Sequence, residues 1–73
     1  MDTLTIKIEV KKSEMAFVDK ILKAYEGLTM VTIIGGEEGL MELGVPPSNK
    51  GDVLKILDDL ATKVQLEIIN IEK

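Results

Sequence analysis

The side chains that could do chemistry in this chain are carboxylates, lysines and a single tyrosine. Histidine, cysteine and arginine are all absent from the sequence. Serine–histidine and cysteine–histidine nucleophile systems therefore cannot form. A phosphohistidine step is likewise excluded, as is an arginine that grips a phosphate in the manner of acylphosphatase-like enzymes. We therefore predict no catalytic residue.

The remaining carboxylates occur in patterns that solvent exposure explains. Glu37 and Glu38 lie between glycines and could offer oxygen ligands to a hard cation, but a solvated hairpin tip is the simpler interpretation. Asp58 and Asp59 are adjacent on a predicted helix, so their side chains diverge. Glu42 is expected mid-sheet beside a lysine of the first strand, as a cross-strand pair. We predict no metal site and no cofactor.

Composition narrows the classes of partner. The chain has 73 residues and a net charge of −4. An acidic chain without arginine is a poor ligand for nucleic acid, because phosphate contacts carry much of that affinity. Its two aromatic residues, Phe17 and Tyr25, fall on a predicted helix rather than on a sheet that could stack bases. We expect neither nucleic acid nor transition metal to bind.

The cellular compartment of the chain is predicted from sequence features that are absent. No apolar run approaches the roughly 20 residues of a membrane span. Polar and apolar residues alternate from the N-terminus onward, and this segment shows no signal-peptide pattern. A small secreted domain would often carry cysteines, so their absence favours the cytoplasm. We expect a single domain over residues 1–73, with no membrane partner.

Hydrophobic periodicity predicts a strand and then a helix at the start of the chain. A half-buried strand over about residues 3–10 follows from alternating apolar residues: Leu4, Ile6, Ile8 and Val10. Ser13 is placed to cap a helix over about residues 14–26, and Gly27 to end it. The apolar stripe of this helix consists of Phe17, Val18, Ile21, Leu22 and Tyr25.

The rest of the chain reads as a hairpin, a helix and a strand. Residues 29–34 are β-branched and 40–45 alternate, and a glycine-rich turn at 35–39 joins them. Pro46 ends the hairpin, and Ser48 or Asn49 caps the second helix. Its apolar stripe consists of Val53, Ile56, Leu57, Leu60, Ala61 and Val64. Residues 66–71 form the last strand.

This order of elements predicts an α+β, ferredoxin-like β-α-β-β-α-β sandwich. Right-handed crossovers place both helices on one face of a four-stranded antiparallel sheet of order 4-1-3-2. The second and fourth strands are then the edges. The predicted core consists of Leu4, Ile6, Ile8, Phe17, Val18, Ile21, Leu22, Val31, Ile33, Met41, Leu43, Val53, Ile56, Leu57 and Leu60.

Two stretches of sequence resemble a known family. Residues 24–28 (AYEGL) and 39–47 (GLMELGVPP), with the strand before and the helix after, resemble short uncharacterised bacterial proteins known as a domain of unknown function. This resemblance implies no activity. The topology is more distantly similar to the ACT regulatory domain, which implies amino-acid binding between paired domains. The loop that usually carries glycine in that family is Lys11-Lys12-Ser13-Glu14 here.

Two functions of different class remain open. The first is a non-enzymatic module that self-associates, with or without a small regulatory ligand. The second is a small enzyme or enzyme subunit that uses carboxylates in a cleft between subunits. The absence of histidine, cysteine and arginine favours the first, whereas a buried carboxylate in a pocket would favour the second.

Apolar residues on the uncovered sheet face predict a homo-oligomer, most simply a dimer. If both helices cover one face, the other should be polar, yet strands two to four place large apolar side chains there on either register. Association by face and association by edge both remain open, as does the buried face of the last strand. The predicted interface residues are Met30, Thr32, Ile34, Leu40, Glu42, Ile69 and Ile71.

Overall fold

Each apolar periodicity in the sequence corresponds to one element of the computed structural model, which describes residues 3–25 and 28–72. The strands are β1 (Leu4–Val10), β2 (Met30–Gly35), β3 (Leu40–Val45) and β4 (Leu66–Glu72). The helices are α1 (Met15–Lys23) and α2 (Lys50–Ala61). A 3-10 turn precedes each helix, at Lys12–Glu14 and Pro47–Asn49. Neither helix within the described ranges is long and apolar enough to cross a bilayer.

The four strands form one antiparallel sheet in the order β2-β3-β1-β4. Read from the other edge this is 4-1-3-2, so the predicted order is confirmed. Both helices pack their buried residues against the same face, since one hydrophobic core joins α1 and α2 to the centre of the sheet. This is the ferredoxin-like arrangement, with β2 and β4 as the two edges.

The alternating strands and the helix stripes supply the core that was predicted from them, with two exceptions. Val31, Ile21 and Ile56 are partly buried against this core. The prediction is wrong for Phe17 and Ile33, which are 44% and 52% exposed. The buried apolar residues are Leu4, Ile6, Ile8, Val10, Met15, Val18, Leu22, Met41, Leu43, Val45, Val53, Leu57 and Leu60.

Position in the sheet and on the helix explains both errors. Ile33 lies opposite Met41 and so shares its face, but it belongs to an edge strand that the helix layer covers incompletely. On α1 the buried residues are Met15, Val18 and Leu22, a stripe that leaves Phe17 on its flank. Spacings of three and four residues would have placed Met15 in the core.

The starts of the helices differ in detail from the prediction. Ser13 lies inside the first 3-10 turn, and Glu14 occupies the N-cap position of α1. Asn49 holds the N-cap position of α2, and its Nδ2 donates to the carbonyl oxygen of Leu28 at 3.4 Å. Gly27, predicted to end the first helix, lies outside the described residues.

A bulge in β4 changes which side chains share a face. Ile68 lies opposite Ile8 and Ile71 opposite Ile6, with a register shift between them. One extra residue on a bulged strand reverses the alternation beyond it. Ile68 and Ile71 therefore both lie on the helix side. Simple alternation would place Ile69 and Ile71 on one face and Ile68 on the other, and the bulge shows that this arrangement is wrong.

Candidate functional site

The sheet face away from the helices is mostly polar. Residues directly opposite each other in neighbouring strands share a face. Lys7, at the centre, lies opposite Glu42 on one side, as predicted, and opposite Asn70 on the other. Its Nζ is 4.0 Å from Oε1 of Glu72. The expectation that large apolar side chains occupy this face is therefore wrong at its centre, where charged and polar residues pair across the strands.

The β2 edge carries the most exposed large apolar side chain of the described residues, Met30, together with two exposed isoleucines. Met30 is 79% exposed and Ile34 is 47% exposed, and Ile33 is exposed between them. No residue of β2 is charged, and none is proline. Charges and prolines are the usual means by which an edge strand avoids pairing with another chain. The β2 edge lacks both.

The β4 edge is also apolar, but it carries features that oppose pairing with another strand. Ile68, Ile69 and Ile71 are exposed along it. Glu67 and Glu72 lie near its two ends. The bulge falls in the middle of the strand and interrupts the regular spacing of edge N–H and C=O groups. β2 also carries a bulge, but at its end, so the two edges differ in charge and in the position of the bulge.

The structure brings together some of the predicted interface residues and separates others. Met30 and Thr32 lie beside Gly44 and Glu42 of β3, and Leu40 lies opposite Gly35 at the bulged end of β2. Ile34 is the extra residue of that bulge. Ile69 and Ile71 lie at the opposite edge of the sheet, and Ile71 is on the helix side.

Exposed edge residues that sequence reasoning missed are Ile33 and Ile68. Ile33 was placed in the core by its alternation with Thr32, which is correct for its face but not for its exposure. Strand order was the available signal. Because order 4-1-3-2 puts the second and fourth strands at the edges, every apolar residue on them was a candidate for exposure.

A charged crevice lies where the β2–β3 turn meets the end of β1. Its volume is about 700 Å³, within the range of roughly 300–1,000 Å³ typical of small-molecule sites. Lys12 Nζ and Glu37 Oε2 form an ion pair at 2.8 Å across it. Other lining residues include Glu9, Lys11, Glu38 and Glu67. Sequence spacing did not reveal this meeting of turn and loop.

The other carboxylates flagged in the sequence lie apart. Asp58 and Asp59 are exposed, and Asp59 pairs with Lys63 one helical turn later, at 3.1 Å. Among residues 3–25 and 28–72 there is no group of three or more acidic side chains that could hold a metal ion. Within the same ranges the one buried polar residue is Thr29, whose hydroxyl donates to the carbonyl oxygen of Gly44 at 3.2 Å.

Comparison with known proteins gives one family. No curated protein and no solved structure matches the chain. The family model described as a domain of unknown function, DUF4911, matches residues 8–64. That segment runs from the middle of β1 to just beyond α2 and includes both stretches that carry the resemblance. The chain therefore belongs to the DUF4911 family.

Proposed function

We propose that this domain is a non-enzymatic module that pairs with a second copy of itself through the β2 edge. The observation that carries the proposal is the row of exposed, uncharged residues along that edge. Two β2 strands meeting about a twofold axis would join two four-stranded sheets into one. Backbone hydrogen bonds would supply affinity, and covering the apolar side chains would add to it.

The polar open face favours an edge contact over a face contact. Stacking two such faces would remove Lys7, Glu42 and Glu72 from water. Desolvating charged groups costs several kcal/mol per ion unless each finds well-placed partners. Pairing at the β2 edge leaves these side chains solvated. The charge distribution thus supports the edge geometry.

The difference between the two edges favours β2. A pair of antiparallel β4 strands would bring Glu67 of one copy towards Glu72 of the other, in a chain that is already acidic. Like charges placed opposite each other destabilise a sheet pair. Residues Met30 to Ile33 precede the bulge in β2 and keep a regular register with β3. They can add a strand without distortion.

We also propose that the charged crevice binds a small regulatory ligand. Lysines and glutamates line it together, which suits a small zwitterion that carries one amine and one carboxylate. Titrating ¹⁵N-labelled protein with single amino acids at millimolar concentration tests this. We expect backbone amide shifts at Lys12 and Glu38, which line the crevice, for at least one amino acid. No shift with any of them would contradict ligand binding while leaving self-association untouched.

Sedimentation equilibrium at micromolar concentration tests the pairing. We expect twice the chain mass of 8.0 kDa. Ile34→Lys places a charge on the β2 edge and should weaken the dimer at least tenfold. Ile69→Lys is the matched control: both isoleucines sit in bulges, and they are 47% and 52% exposed. We expect it to leave the dimer intact.

Two results would contradict the proposal. A mass that stays near 8.0 kDa for the unmodified protein would exclude self-association in this range. Dissociation by Ile69→Lys and not by Ile34→Lys would move the contact to β4. A further control is Lys20→Glu, on the exposed side of α1. This variant should sediment with the same dimer mass as the unmodified protein.

A further inference from the structure

A shallow groove runs between α1 and α2 on the surface of the helix layer. Its volume is about 290 Å³, and Ile21, Ile56 and Leu60 are among the residues that line it. Phe17 and Tyr25 also line it and are 44% and 42% exposed. These are the only two aromatic residues of the whole chain. Aromatic side chains are enriched at the centres of protein interfaces, so their joint exposure here marks the groove as a contact surface.

The charge at the groove is opposite to that of the chain as a whole. Two lysines and one aspartate line it, within a chain whose net charge is −4. Lys63 is already paired with Asp59 at 3.1 Å. Lys55 makes no ion pair with any other described residue. The groove therefore presents one unneutralised ammonium group beside its apolar floor.

We propose that this groove binds an amphipathic helix of a partner protein. Apolar side chains of that helix, three or four residues apart, would cover Phe17 and Tyr25, and a carboxylate on its flank would pair with Lys55. A helix ridge fits between two surface helices, which offer no free strand edge to an extended peptide.

A lipid surface is the competing partner for exposed aromatics next to lysines. A membrane plane extends beyond the groove and meets the whole face of the molecule. The net charge of −4 then opposes adsorption to anionic lipid. A single helix covers only the groove. It interacts mainly with the local charge there, because salt screens charges farther away than about 8–10 Å. Charge therefore favours the helical partner.

Phage display tests the proposal. The unmodified protein serves as bait for a random library of 16-residue peptides. We expect enriched peptides that combine helically spaced apolar residues with Asp or Glu, and amide shifts in labelled protein at Phe17, Tyr25 and Lys55. Phe17→Ala and Lys55→Glu should each raise the Kd at least tenfold. Lys50→Glu makes the same charge change on α2 but away from the groove, and should leave the Kd unchanged.

Other outcomes would overturn the assignment. These are the absence of any enriched peptide, shifts confined to another surface, or an equal loss of binding in Lys50→Glu and Lys55→Glu. Co-sedimentation with phosphatidylcholine–phosphatidylserine vesicles that Phe17→Ala abolishes would make the groove a lipid site. A fall in sedimentation mass caused by Phe17→Ala would make its occupant a second copy of the chain.

Discussion

Val10 donates its backbone N–H to the carbonyl oxygen of Gly39 at 2.8 Å, which fixes the β2–β3 turn against the end of β1. Gly39 has φ of +73°, and a Cβ built there would collide with the carbonyl oxygen of Val10. The close approach of these two backbones requires glycine for its conformation and for its size. Val10 also lines the charged crevice.

Gly39→Ala is therefore expected to destabilise the domain. Strain at a left-handed position costs about 1–3 kcal/mol, and the collision with Val10 adds to it. Gly51→Ala is the matched control, since Gly51 lies in α2 and an added methyl there meets no atom within 4 Å. It should stabilise the domain by up to about 1 kcal/mol. Urea denaturation measures both, and equal effects would contradict the turn geometry.

Replacing Phe17 should cost much less than replacing a smaller residue on the same helix. Leu22 is completely buried, and Leu22→Ala should lower the free energy of unfolding by about 2–5 kcal/mol. Phe17→Ala should change it by less than about 1 kcal/mol, because the ring is 44% exposed. Urea denaturation at one protein concentration compares them. A larger loss for Phe17→Ala would place its ring in the core.

The contrast between these residues indicates how far the sequence determines the fold. In β3, Met41 and Leu43 are predicted in the core and are buried, as is Val45 on the same face, because clean alternation leaves one choice of face. On α1 the apolar residues are too numerous for one buried stripe. Which of them face the core depends on how the helix is placed over the sheet, and local spacing does not contain that information.

The last strand shows a second limit of prediction from sequence. It has apolar residues on both parities, so alternation does not choose a face, and the bulge that resolves it arises from pairing with β1. The candidate site could be predicted only in part, because some of its residues are placed by local pairing and others by pairing between distant strands. Met30, Thr32, Leu40 and Glu42 lie together because β2 and β3 form a local hairpin. The position of Ile71 depends on the bulge at Ile69, which arises from pairing with β1, a strand distant in sequence.

The ion pair between Lys12 and Glu37 should contribute little to stability. Its atoms are 2.8 Å apart, but the side chains are 62% and 86% exposed. Exposed pairs of this kind contribute about 0.2–1 kcal/mol, and salt screens them. A double-mutant cycle with Lys12→Ala and Glu37→Ala should give a coupling energy in that range that disappears in 1 M NaCl. A larger, salt-insensitive coupling would contradict the exposure of the pair.

Cysteine cross-linking should locate the twofold axis at the β2 edge. The chain has no cysteine, so one introduced thiol reports on one position. Thr32 is exposed and lies near the middle of β2. Thr32→Cys should form a disulfide-linked dimer under mild oxidation, since opposed strand residues are within disulfide reach. Thr5→Cys, on the interior strand β1, is the control and should stay monomeric on a non-reducing gel. Equal cross-linking at both positions would argue for a face contact.

The bulge and the acidic ends of β4 decide whether self-association can propagate. In a β2-paired dimer both outer edges are β4, so any third copy must add there. Glu67, Glu72 and the irregular spacing at Ile69 oppose that addition. Growth then terminates at two chains, although the two edges of each subunit are comparably rich in isoleucine. In this arrangement the two glutamates of β4 and the position of its bulge in the middle of the strand separate a closed dimer from an open-ended, amyloid-like stack of sheets.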